Sequence, residues 1–297
     1  MFPVIITALL LPAFAVAVPT RQVDHALTPI SNWGDNPTNL ELLAYFPKPM
    51  PAKPAVILAL HACSLSGQQY SEENNYTAYA DERGFIALFP STKNDGNCWD
   101  VASNKSLTHN GGGDSLGLVN MIKWAISEHN ADPAKIFVTG SSSGCMMTNV
   151  MGGTYPDVFA ASSCYSGFPA GCLAGAPASS PGSGDPACGS GKAHKTGPEW
   201  AKVVRDMYPG YNGTYPPTNI WHGTADDLVG YGNLAETLKQ WSAVMGVPFT
   251  RNITDSPELG YTKIVYGDGT QLVGYSAVGV GHTVPCNVEV DLKWFGL

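Results

Sequence analysis

The stretch that decides the fold runs from Lys135 to Met151, KIFVTGSSSGCMMTNVM. Its opening, residues 135–140 (KIFVTG), is a short apolar, β-branched run of the kind that forms a buried strand. Its close, from residue 143 to about 151, predicts a helix. Between them stands Gly140-Ser141-Ser142-Ser143-Gly144, a G-x-S-x-G sequence. Small residues on both sides permit a sharp strand-to-helix turn, which lifts the central serine to the top of a sheet. That register selects Ser142 as nucleophile over Ser141 and Ser143. The Ser143 amide then faces the oxyanion of a bound acyl group, with the positive end of the helix behind it.

A serine hydroxyl is a poor nucleophile without a base, and the base needs a carboxylate to orient it. Residues 221–226 (WHGTAD) follow a predicted strand and set Asp226 at the same carboxyl edge as Ser142, with neighbouring Asp227 as the alternative. Residues 279–282 (GVGH) follow the last predicted strand and put His282 on a glycine-flanked loop. The order Ser142, Asp226, His282 is that of the α/β-hydrolase fold. His222 reads as a turn residue, packing or bonding locally beside the acid. His109, in the loop 107–114 (LTHNGGGD), reads as a substrate-pocket residue, and His25, His129 and His194 as solvated. The second oxyanion donor is expected from the backbone of Cys63, at the end of the early strand run LHAC (60–63), with Ala62 as the alternative.

Working outward, apolar runs at 53–61, 85–90, 135–140, 159–165 and 218–221 alternate with helical patterns at 115–130, 143–151, 199–208 and 231–245. Residues 262–266 and 272–277 flank Gly267-Asp268-Gly269 as a hairpin, and 287–295 close as a helix. Such alternation predicts a mostly parallel sheet covered by helices on both faces. The Gly/Pro/Ser/Ala-rich stretch 170–196 holds Cys172 and Cys188 and reads as a surface loop, which leaves one catalytic domain over 18–297.

Residues 1–17 (MFPVIITALLLPAFAVA) carry no charged side chain and end in the small-x-small pattern of a cleavable leader. The run is too short for a membrane anchor. Secretion is therefore expected, with no membrane attachment. Four Asn-X-Ser/Thr acceptors, Asn75, Asn104, Asn212 and Asn252, and seven cysteines suit an extracellular, oxidising setting. No C-x-x-C pair is present, so no metal site is expected. The chain has 24 acidic and 16 basic residues, a net charge of −8, which argues against binding a phosphate backbone. A sequence of 297 residues with 10% aromatic residues and 13% charged ones is also not that of a disordered protein.

Taken together, HACSLSGQQYSEE, YADERGFIALFPSTKNDGNCWD, LTHNGGGDSLGLVNMIKWAI, VTGSSSGCMMTNVMGGTYPDVFAASSCYSG, WHGTADDLV and YGDGTQLVGYSAVGVGH resemble the secreted fungal esterases of the first carbohydrate-esterase family. These acetylxylan and feruloyl esterases are related to polyhydroxybutyrate depolymerases. The resemblance implies an α/β-hydrolase fold, no cofactor, an acyl-enzyme mechanism at Ser142, Asp226 and His282, and acylated xylan as substrate. It also implies disulfides Cys63–Cys98 and Cys172–Cys188, leaving Cys145, Cys164 and Cys286 open. HAC stands where HGC or HPC is commoner. Some relatives carry a carbohydrate-binding module; none is expected here, and a monomer is. Acetyl is expected over feruloyl as the acyl group. Trp99 is read either as a substrate platform or as an aromatic packing in the core or beside the disulfide. A polyester depolymerase and a non-catalytic carbohydrate-binding protein are the remaining alternatives.

Overall fold

A computed structural model of the chain describes residues 26–180 and 184–297. The expected leader, residues 1–17, and His25 lie outside them. The sheet has ten strands: β1 (Thr28–Ile30), β2 (Glu41–Tyr45), β3 (Ala55–Leu60), β4 (Phe85–Ser91), β5 (Ile136–Ser141), β6 (Ala161–Tyr165), β7 (Thr218–Gly223), β8 (Phe249–Thr254), β9 (Tyr261–Tyr266) and β10 (Leu272–Ala277). Their order across the sheet is β1-β2-β4-β3-β5-β6-β7-β10-β9-β8. From β4 through β10 the neighbours pair in parallel; β1 and β2 on one flank, and β9 and β8 on the other, pair antiparallel.

The parallel strands are apolar without a break because both faces are covered. In β3, Val56, Leu58 and Leu60 point to one core layer and Ala55, Ile57 and Ala59 to the other, the period of two that a strand imposes. Helices α3 (Asp114–His129), α4 (Ser143–Thr154), α6 (Gly197–Met207) and α7 (Gly232–Met245) pack on the first face. Helices α1 (Gly67–Glu73), α2 (Tyr76–Arg83) and α8 (Val288–Phe295) pack on the second. On that side α8 is anchored through the fully buried Asp291, which accepts hydrogen bonds from Ser163 Oγ at 2.6 Å and Tyr76 Oη at 2.5 Å.

The 170–196 stretch contains the short helix α5 (Pro186–Gly189), stapled by Cys172–Cys188. The structure also bonds Cys63 to Cys98 and Cys145 to Cys164, leaving Cys286 as the free thiol. The Cys145–Cys164 bridge ties the first turn of α4 to β6, two elements that already flank the serine turn. All four sequon asparagines are exposed. No helix among the described residues is long and apolar enough to cross a membrane.

Candidate active site

Ser142 sits between β5 and α4 with φ 54° and ψ −118°, a left-handed conformation that bends the chain sharply and raises the side chain above the sheet edge. Its amide donates to Tyr165 O at 2.7 Å, which locks the turn onto β6. The flanking glycines are dictated by close approach. A Cβ on Gly144 would lie 2.0 Å from Leu60 O, and one on Gly140 would lie 2.5 Å from the carbonyl carbon of Gly144. Backbone on both sides cannot yield without displacing β3 from the helix start. Gly144→Ala is expected to cost on the order of 3 kcal/mol, read as a fall in Tm of about 6–12 °C together with loss of activity.

Asp226 and His282 come from loops after β7 and β10, the parallel neighbours that place their ends side by side. Those loops are zipped together by Ala225 N donating to Val280 O at 2.9 Å and Gly279 N to Thr224 Oγ1 at 2.8 Å. The result is a continuous chain. His282 Nε2 lies 2.8 Å from Ser142 Oγ, and His282 Nδ1 lies 2.8 Å from Asp226 Oδ2. The other carboxylate oxygen of Asp226 accepts from Leu228 N at 3.0 Å and Val229 N at 2.8 Å. Burial alone would raise this carboxyl. Hydrogen bonds from His222, His282 and the Val229 amide outweigh it and hold the group well below the usual carboxylate range. Asp226 therefore stays ionised through the acid range, while Asp227 is exposed to solvent. His222 does bond locally, as its position suggests: its Nε2 lies 2.7 Å from Val229 O and 3.1 Å from Asp226 Oδ2.

The two amides read as oxyanion donors, those of Ser143 and Cys63, have no hydrogen-bond partner among the described residues. The loop carrying Cys63 is braced from below. His61, fully buried, holds Ala62 O through Nδ1 at 2.7 Å and accepts from Thr92 N through Nε2 at 3.2 Å. This pattern sets one neutral tautomer, and burial lowers the imidazole pKa further. Trp99 completes the brace: its Nε1 donates to His61 O at 2.9 Å and its backbone N to Ser143 Oγ at 2.8 Å. Trp99 is 0% exposed. Of its two readings the packing one holds, because a fully buried ring has no face left for substrate.

His109 is not at the site. Its Nδ1 is 2.6 Å from Thr154 O and its ring stacks on Tyr208 with centroids 3.6 Å apart. Thr154 ends α4, a helix of 12 residues and so about 18 Å long, and Ser142 stands at the opposite end. His129 is also not freely solvated, since it packs against Phe46 and Trp124.

The serine opens into a cavity of about 660 Å³ whose walls include Leu65, Tyr70, Tyr165, Leu228, Val284 and Pro285. One wall carries a polar group whose tyrosine sequence reasoning missed. Tyr70 Oη lies 3.0 Å from Ser141 Oγ, and the Cys286 thiol lies 3.5 Å from Ser141 Oγ and 3.6 Å from Tyr70 Oη. Burial pushes the Cys286 thiol up to about 11, so it stays protonated and unreactive as a nucleophile. The proximity of Cys286 to His282 in sequence was the only signal for it; Tyr70, in a polar helix far upstream, offered none.

A sharp serine turn after β5, an aspartate after β7 and a histidine after the last parallel strand meet at one edge of a mostly parallel sheet, the arrangement of an α/β-hydrolase. It belongs to the family described as esterase PHB depolymerase, whose model matches residues 43–247. Among its relatives, feruloyl esterase B of Talaromyces funiculosus is 47% identical over 294 residues, 99% of this chain and 81% of that protein. Feruloyl esterase B of Talaromyces stipitatus is 48% identical over 272 residues, 92% of this chain and 76% of that protein. Among solved structures, the acetyl xylan esterase from Aspergillus awamori is 40% identical and superposes with a TM-score of 0.86, covering 91% of this chain and 99% of that one.

Proposed function

We propose that the chain is a secreted serine esterase that removes acyl groups from xylan, with Ser142 as nucleophile, His282 as general base and acid, and Asp226 as the orienting carboxylate. The observation that carries this is the unbroken contact chain Ser142 Oγ–His282–Asp226, each link 2.8 Å, opening into a cavity. His282 takes the Ser142 proton as Oγ attacks the ester carbonyl, and the Ser143 and Cys63 amides receive the oxyanion. The sugar hydroxyl departs with the proton from His282. Water then repeats the sequence on the acyl-enzyme and releases the acid.

The acyl group is proposed to be aromatic, of the feruloyl kind. Supporting this, the cavity of about 660 Å³ beside Ser142 has room for an aromatic ring, and its walls include Leu65, Tyr70, Leu228 and Val284. The two relatives at 47 and 48% identity also bear the name feruloyl esterase B. The acetyl reading keeps its own support in the 0.86 TM-score with an acetyl xylan esterase. Parallel assays on methyl ferulate and acetylated xylan test the choice, and higher kcat/KM is expected on methyl ferulate. Turnover of acetylated xylan alone returns the acetyl reading. Inertness toward both and toward 4-nitrophenyl acetate would leave a binding protein on a hydrolase scaffold, and clearing of polyhydroxybutyrate plates would indicate a depolymerase.

Secretion rests on the leader pattern of residues 1–17, three disulfides and four exposed sequons. The chain is proposed to act as a monomer, without cofactor.

A further inference from the structure

A second cavity, of about 280 Å³, adjoins the first, and Pro285 and Cys286 form the wall common to both. Its volume is close to the lower bound of small-ligand sites, about 300 Å³. Three segments distant in sequence build it: Tyr79 from α2, Glu258 from the turn before β9 with Tyr261 at the start of that strand, and Glu289 from α8, with Asn75 on the rim. Tyr79 Oη donates to Glu289 Oε1 at 2.8 Å, which fixes one ring against one carboxylate. Tyr261 stands edge-on to Trp221 with centroids 6.0 Å apart, and Trp221 in turn stacks on Tyr165, a wall of the first cavity. The Glu258 carboxylate and the Tyr261 hydroxyl have no hydrogen-bond partner among the described residues.

This lining is the more polar of the two, since the first cavity adds Leu65, Leu228 and Val284 to its own tyrosines and single glutamate. Aromatic rings with polar tips offer an apolar face and a hydrogen-bonding edge together. Carboxylates accept strongly from hydroxyl donors. Glu73, Glu258 and Glu289 line the two cavities while no Lys or Arg does, so an anionic ligand meets repulsion there. A ligand with CH faces, many hydroxyls and no charge satisfies all of these at once.

The geometry points to a glycan subsite: the cleft between Tyr79, Tyr261, Glu258 and Glu289 holds neutral sugar residues of the chain whose ester lies at Ser142. This rests on the reading of the protein as a xylan esterase, and it assigns acyl and sugar to opposite sides of Pro285–Cys286. Substrate is then held by its main chain as well as by its acyl group, which lowers KM on polymer relative to a methyl ester.

The test is titration of the full-length protein with unesterified xylo-oligosaccharides, followed by tryptophan fluorescence, with no ester chemistry involved. Saturable binding is expected, weakened at least about fivefold by Glu258→Ala and by Tyr79→Ala. The same variants are expected to lower kcat/KM on feruloylated xylan relative to methyl ferulate by a similar factor, through KM. Glu258 lies on an exposed turn, so Glu258→Gln and an unchanged unfolding temperature guard against a folding defect. Absence of saturable binding overturns the inference, as does binding and a substrate ratio left unchanged by both alanine variants. Binding that appears only after Asn75→Gln also overturns it, since the cleft would then hold the chain's own glycan. Oligosaccharide binding without hydrolysis of any ester supports the cleft and removes the esterase reading instead.

Discussion

Ser142→Ala is expected to lower kcat on 4-nitrophenyl acetate by about 10⁵–10⁶-fold, with the unfolding temperature within about 2 °C of wild type. The substitution removes one oxygen from a side chain that is only 6% exposed and leaves the turn itself intact. Alanine faces the same left-handed backbone cost as serine at φ 54°, so the cost of the turn is nearly unchanged. The His282–Asp226 contact and both free amides survive. The variant should therefore retain substrate binding and whatever small rate the oxyanion donors and binding supply by themselves. Ser141→Ala and Ser143→Ala serve as controls. Ser141 lies toward Tyr70 and Cys286, and Ser143 Oγ accepts from Trp99 N, so neither hydroxyl faces His282. A larger loss in either control than in Ser142→Ala would move the nucleophile.

Asp226→Asn is expected to lower kcat by about 10⁴-fold. The asparagine retains an oxygen for the Leu228 and Val229 amides, so the loop keeps its shape. What it loses is the acceptor facing His282 Nδ1 at 2.8 Å. An amide NH₂ in that place favours the tautomer with the proton on Nε2, which leaves no lone pair for the Ser142 proton. It also removes the charge that stabilises the imidazolium formed in the transition state. Because wild-type Asp226 is held ionised far into the acid range, its protonation does not contribute to the acid limb of the wild-type pH–rate profile. The exposed Asp227→Asn is the control and is expected to stay within about twofold. A greater loss at Asp227 than at Asp226 would reassign the acid.

Much of the architecture was legible because its signals are local. The buried runs that became β3, β4, β5 and β7, and the stripe that became α3, carry their period in consecutive residues. The flanking strands were not. Strand β8 is exposed along its whole length, and β1 has only three residues, so neither shows the alternation that burial on one face produces. Helices α1 and α2 were missed for a related reason: GQQYSEE and YTAYADER are largely polar and present only a few buried positions each.

That Ser142, Asp226 and His282 come together was legible for a physical reason that did not extend to their surroundings. A nucleophile turn needs glycines at fixed offsets, and the acid and base must follow parallel strands at the same sheet edge; both conditions are written along the chain. Trp99, His109 and the Cys145–Cys164 bridge obey no such local rule. Whether Trp99 faces substrate or core depends on His61 and Ser143, 38 and 44 residues away. Whether His109 reaches the site depends on which end of α4 its loop meets. By itself, then, the sequence determined the fold class and that Ser142, Asp226 and His282 meet at one sheet edge, because backbone sterics and strand periodicity act over a few residues. Only the tertiary structure decided which aromatic and histidine side chains face the cavity, how the inner cysteines pair and where a second cleft opens, because packing between distant segments sets burial.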